Sequence, residues 1–70
     1  MDNPITIVFN GQDRQISAGL TVEQLLQEAA INSRFVAVEL NGEILPRDQR
    51  NQREVQARDV IEVVTLVGGG

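Results

Sequence analysis

The sequence predicts an α+β fold, a mixed sheet of four to five strands packed on one main helix. Three observations predict it. Apolar, β-branched runs recur at residues 5–9, 35–40 and 60–67. The dipeptides Asn10-Gly11 and Asn41-Gly42 each follow such a run, and Asn-Gly is the strongest short-range hairpin signal because both residues tolerate positive φ. One segment, Val22 to Ala30, carries apolar residues at helical spacing. A single apolar stripe covers one face of a sheet, so the other face is expected to meet solvent.

The elements follow in order. In the first run Ile5, Ile7 and Phe9 share one face, and Thr6 and Val8 share the other. After Asn10-Gly11 a weaker strand is expected from Arg14 to Ala18. Val22, Leu25, Leu26, Ala29 and Ala30 form the helix stripe. Thr21 is placed as N-cap, and Gln24 three residues on completes a capping box. Leu20 and Leu25 can close a hydrophobic staple, and Glu23 suits the positive end of the helix dipole. The helix is therefore expected over residues 22–30, ending before Asn32-Ser33.

A third strand is expected over Phe35 to Leu40, with Val36, Val38 and Leu40 inward. Phe35, Ala37 and Glu39 then lie on the wetter face. Asn41-Gly42 turns the chain into a short fourth strand, Glu43-Ile44-Leu45, which Pro46 stops. Residues 47–58 are polar and hold four arginines, with Val55 as an apolar anchor. The last strand is expected from Asp59 to Val67. Glu62 would be costly against the helix, so Glu62, Val64 and Leu66 are assigned to the open face, and Ile61 and Val63 to the core. Gly68-Gly69-Gly70 closes the chain. Residues 1–67 are read as one domain and residues 68–70 as a flexible tail.

Composition excludes much chemistry. The 70 residues carry 6 basic and 10 acidic groups, a net charge of −4, with no cysteine and no histidine. All basic residues are arginine (Arg14, Arg34, Arg47, Arg50, Arg53, Arg58), so lysine is absent too. There is no thiol nucleophile and no thiolate or imidazole metal site. There is no lysine for a phosphate-binding loop or a Schiff base. The acidic balance argues against nucleic acid. No apolar run reaches the ~20 residues of a membrane span, and Met1-Asp2-Asn3-Pro4 lacks the basic start of a signal peptide. A cytoplasmic protein is expected. Asp48, Glu54 and Asp59 lie among arginines and are expected on a solvated surface rather than at a metal.

The glycine end is the most informative feature. Glycine has no Cβ, so such a tail can enter a channel too narrow for other residues. Three residues reach at most ~10 Å at ~3.3–3.6 Å each, enough to carry a carboxylate into a partner's active site while the body docks outside. The bland alternative is a glycine end that merely frays.

Several segments together carry a resemblance to a known family. They are Ile7-Val8-Phe9-Asn10-Gly11, Thr21-Val22-Glu23-Gln24-Leu25-Leu26, the run from Val36 to Arg47, Asp59-Val60-Ile61-Glu62-Val63-Val64, and Val67-Gly68-Gly69-Gly70. Over nearly the whole chain the sequence resembles the ThiS family of sulfur carrier proteins of thiamin biosynthesis. The resemblance implies a ubiquitin-like β-grasp fold and a carrier rather than an enzyme. It implies that the Gly70 carboxylate, presented on Gly68 and Gly69, is adenylated by a partner enzyme using ATP and magnesium. Sulfur from a cysteine desulfurase or persulfide relay would then give a thiocarboxylate, and thiazole synthase would take the sulfur. No cofactor is expected on the chain itself.

In a β-grasp sheet the first and last strands are parallel neighbours. Val8, Val64 and Leu66 are therefore expected to form an exposed apolar patch beside the tail, a dock shared by the adenylating enzyme and thiazole synthase. Three other readings stand beside this one. They are the small subunit of molybdopterin synthase, a ubiquitin-like protein modifier, and a β-grasp interaction domain without covalent chemistry.

Overall fold

A computed structural model describes residues 3–66. Five strands and one helix follow in the order β1 (Pro4–Phe9), β2 (Gln12–Ser17), α1 (Val22–Glu28), β3 (Val36–Leu40), β4 (Glu43–Ile44) and β5 (Val60–Thr65). Short 3-10 turns occupy Ser33–Phe35 and Arg47–Gln49. The strands form one mixed sheet in the order β2-β1-β5-β3-β4. β5, the last in sequence, is central. It runs parallel to β1 and antiparallel to β3. This is the mixed sheet on one helix expected of a β-grasp fold.

Both Asn-Gly dipeptides form the expected hairpin turns. Asn10 and Gly11 have φ of 51° and 82°, and Asn41 and Gly42 have 53° and 88°. Positive φ at both central residues matches the right-handed twist of the flanking strands. The turn takes only two residues, so Phe9 pairs directly with Gln12 and β2 begins two residues earlier than Arg14.

The helix N-terminus is as read. The Thr21 side chain accepts from Gln24 N at 3.2 Å, and Gln24 Oε1 accepts from Thr21 N at 2.9 Å. Its C-terminus is not, because the helix stops at Glu28. Ala30 adopts φ 60°, Ala30 N donates to Gln27 O, and Ile31 N donates to Leu26 O. This reciprocal pair of bonds is a Schellman closure. It turns Ile31 back onto the core, where it packs with the buried cluster. Alanine is a poor residue for that left-handed position. Ala30→Gly is expected to raise stability by about 0.5–1 kcal/mol, the left-handed penalty less the added freedom of the unfolded chain. Urea unfolding measures the gain.

Ile7, Leu25, Leu26 and Ile61 are fully buried, together with Val22 and Val38. Each contributes about 1.5–3 kcal/mol of apolar burial. Phe35, expected at the start of the third strand, sits instead in the 3-10 turn. Asn32 initiates that turn by accepting from Arg34 N at 3.1 Å.

The polar segment after Pro46 is less solvated than its composition suggests. Val55 N donates to Leu20 O and Val22 N donates to Arg53 O, which pins the segment against the helix entry and buries Val55. Asp48 and Glu54 are exposed as expected. Asp59 is not, being only 6% exposed. Its Oδ2 accepts from Gln56 N at 2.8 Å and pairs with Arg53, and its Oδ1 accepts from Asn41 Nδ2 at 3.0 Å. These partners satisfy the carboxylate that the expected surface water would have satisfied.

Arg50 is buried further still, at 3% exposure. Its Nη1 donates to Ser33 O and its Nη2 to Val36 O, both at 2.8 Å. The guanidinium thus holds the start of β3 to the loop after β4. Burial pulls its pKa below the ordinary arginine value, Arg47 adds to that, and Glu23 opposes it. Arginine stays charged at any physiological pH, so the donors are always present.

Candidate functional site

The site is built around the end of β5. Alternation along this strand is as predicted: Ile61 is buried and Val63 packs on the core, while Val60, Glu62 and Val64 face the open side. β5 ends at Thr65, and Leu66 N donates to Phe35 O at 2.7 Å, holding the chain beside β3 to its last described residue. Val67, Gly68, Gly69 and Gly70 lie outside the described residues, as does the expected boundary between domain and tail. What the structure gives is the platform from which they continue.

The expected patch is only partly assembled. Val64 and Leu66 are 54% and 52% exposed on the open face. Val8 is half-buried and pairs with Val60. Four residues of strand, about 13 Å at ~3.3 Å each, separate Val60 from Val64. The neighbours of the pair are instead on β3 and in the 3-10 turn that leads into it. Ala37 lies opposite Val64, and Phe35, 56% exposed, is bonded to Leu66. Phe35, Ala37, Val64 and Leu66 therefore form the apolar surface at the point where the tail departs. Phe35 was legible as a wet-face residue from alternation, but its pairing with Leu66 depends on the β3–β5 register.

Further along the same face the surface turns acidic. Glu39 and Glu62 are directly opposed across β3 and β5. Like charges placed opposite one another in a sheet are destabilising. Among the described residues the ion pair is Arg53–Asp59, and neither Glu39 nor Glu62 has a cationic partner. Ile44, exposed on β4, lies opposite Glu39.

Two asparagine side chains secure β5 from both sides. Asn41 Oδ1 accepts from Val60 N at 2.8 Å while Asn41 N donates to Val60 O at 2.7 Å. Asn10 Oδ1 accepts from Val63 N at 2.7 Å while Asn10 N donates to Ile61 O at 2.9 Å. The residues chosen for their turn conformation thus also supply acceptors to the strand that carries the tail. Sequence reasoning found the turns but not this second task.

No group of three or more potential metal-ligating side chains occurs among the described residues. A groove of about 450 Å³ lies between Leu40, Asn41, Ile44, Leu45, Pro46 and Arg53. Leu40 and Asn41 face Ile61 and Val60, so this groove is at the opposite end of β5 from Leu66. No helix of the described residues is long and apolar enough to cross a membrane.

Comparison with known proteins completes the picture. The model of the ThiS family matches residues 7–70. The chain is 38% identical over 64 residues to the sulfur carrier protein ThiS of Escherichia coli (strain K12), covering 91% of this chain and 97% of that protein. It is 47% identical over 64 residues to a thiazole synthase of Paramagnetospirillum magneticum, and there it spans 20% of the relative's length. The crystal structure of the thiamine biosynthesis protein ThiS from Geobacter metallireducens superposes with a TM-score of 0.82 at 30% identity, covering 94% of this chain and 100% of that one.

Proposed function

The chain belongs to the ThiS family, and on that premise we propose that it is a sulfur carrier for thiazole formation in thiamin biosynthesis, working through the carboxylate of Gly70. The observation that carries this reading is the family match running unbroken from Ile7 through the glycines to Gly70.

The chemistry follows from what a carboxylate lacks. It is anionic and its oxygen is a poor leaving group. A partner enzyme supplies ATP and magnesium. A carboxylate oxygen attacks the α-phosphorus, pyrophosphate leaves, and the acyl adenylate forms. The terminal sulfur of a persulfide, carried by a cysteine desulfurase or another donor, then displaces AMP to give an acyl disulfide. A second thiol attacks the donor's sulfur and breaks the S–S bond, leaving a disulfide on the donor and the thiocarboxylate on Gly70. That soft nucleophile delivers sulfur to thiazole synthase without free sulfide. The composition, with no cysteine, histidine or lysine, fits a carrier acted on by enzymes rather than a catalyst. A cytoplasmic location is part of the same proposal.

Likeness to a segment of a thiazole synthase supports thiazole synthase as acceptor and favours this reading over the small subunit of molybdopterin synthase. The test is direct. The protein is incubated with the adenylating enzyme, ATP, magnesium and a sulfur donor, and its intact mass is recorded. Replacement of one oxygen by sulfur at Gly70 is the expected result. A terminus left unmodified would overturn the reading.

Docking is proposed on the open face beside the tail, through Val64 and Leu66, with Val8 further along the same face. Leu66→Glu places a charge in this apolar surface. It is expected to weaken binding to both the adenylating enzyme and thiazole synthase at least about tenfold, as for a residue central to an interface. Titration calorimetry on the folded variant checks this, and unchanged affinity for both would exclude the patch.

A further inference from the structure

β1 covers only the start of β5. The parallel pairing is Val8 with Val60 and Phe9 with Ile61, after which β1 turns away at Asn10-Gly11. The orientation of the remaining backbone groups follows from the bonds already given. Val60 O accepts from Asn41 and Leu66 N donates to Phe35, so the even-numbered residues of β5 bond toward β3. Ile61 O and Val63 N bond toward Asn10, so the odd-numbered residues point to the β1 side. On that side the next groups are Val63 O, Thr65 N and Thr65 O. Among the described residues none of the three has a partner.

A central strand therefore becomes an edge strand over its last residues. This edge differs from the others. β2 carries Asp13 and Arg14, charges that discourage pairing, and β4 is two residues long. The open part of β5 holds only Val63, Val64 and Thr65, with exposed Leu66 and Phe35 adjoining. The chain then continues directly into Val67 and the glycines.

We propose that the adenylating enzyme completes β5 by adding an extended segment of its own along this edge, in the row that β1 vacates. The inference rests on the carrier reading and specifies how the partner grips the tail. Main-chain bonds to Val63 O, Thr65 N and Thr65 O fix the direction in which the tail leaves, and alternate side chains of the added strand reach the open face. There they lie beside Glu62 and Val64. The unpaired carboxylates of Glu62 and Glu39 call for a basic side chain next to an apolar one in that segment. Without such an added strand, the tail would leave the sheet from a segment held on one side only.

Amide hydrogen exchange of the unaltered protein tests the idea. The Thr65 amide is expected to exchange rapidly in the free chain and at least about tenfold more slowly in complex with the adenylating enzyme, as for an amide taken into a ladder. Thr65→Pro removes this donor without breaking a bond to β3, and proline is tolerated where a strand N–H faces outward. It is expected to weaken binding at least about tenfold, while Thr65→Ala stays within about twofold. If the proline variant does not fold, the exchange experiment decides. An enzyme that loads sulfur onto Gly70 yet leaves Thr65 exchange unchanged would overturn the added strand and leave the carrier reading intact. Failure of both loading and binding would overturn both.

Discussion

Deletion of Gly70 is expected to abolish sulfur loading while leaving the fold intact. The shortened chain still ends in a glycine carboxylate, that of Gly69, so the reacting group is chemically unchanged. Only its reach differs, by one residue or ~3.3–3.6 Å. Displacement of a reacting atom by as little as ~1 Å can cost about 100-fold in rate, so one residue removes the carboxylate from the α-phosphate altogether. Gly69→Val is the complementary variant. It restores the length but adds a branched side chain where the proposed channel admits none. Loading, read by intact mass, is expected to fall at least about 100-fold in both. Circular dichroism and urea unfolding should match the unaltered protein, because among the described residues the buried core lies within residues 7–61. Normal loading of either variant would show that the tail is not read by length and width.

Replacement of Arg50 by alanine is expected to cost about 3 kcal/mol of stability. Two hydrogen bonds from a charged donor are lost, each of order 1.5–3 kcal/mol and not fully additive. Ser33 O and Val36 O lose their donors, the latter in a buried setting. A 70-residue domain has roughly 4–10 kcal/mol in total, so this one side chain decides whether most molecules are folded at elevated temperature. Arg50→Met separates the causes. It keeps an apolar stem of similar length and removes the donors, so it should recover the packing part of the loss only. Urea midpoints at constant slope give the comparison. A methionine variant as stable as the original would show that packing, not the paired carbonyls, is what Arg50 supplies.

Arg50 also shows where sequence reasoning stops. It sits in a run of arginines, glutamines and acids that has no period, and composition alone makes such a run a solvated surface. Its burial depends on Leu20 and Val22 exchanging backbone bonds with Arg53 and Val55. That pairing joins segments some thirty residues apart and leaves no local mark. Asp59 is the same case, since its partners come from two separate segments, Asn41 from the turn between β3 and β4, and Arg53 and Gln56 from the loop that precedes β5. Ala30 differs in kind. Its spacing fits the helix stripe, but the stripe does not reveal that Ile31 gains more by turning back to the core than the helix gains by one further residue.

The site divides in the same way. Alternation in the last strand was enough to place Val64 and Leu66 on the open face, because period two is a property of any extended chain. It could not say which residues stand beside them. That depends on the registers of β5 against β1 and β3, which put Val8 against Val60 and Phe35 against Leu66.

By itself the sequence determined the strands, the capped start of the helix, both Asn-Gly turns, and the inward and outward faces. Each is written in periodicity or backbone chemistry within a few residues. Only the tertiary structure decided that β5 loses its β1 neighbour after Ile61, that Arg50 and Asp59 are buried, and that Asn10 and Asn41 secure the strand that carries the tail. The physical reason is that hydrogen-bond pairing between distant segments sets those features, and such pairing is selected by the closure of the whole sheet rather than by any local preference.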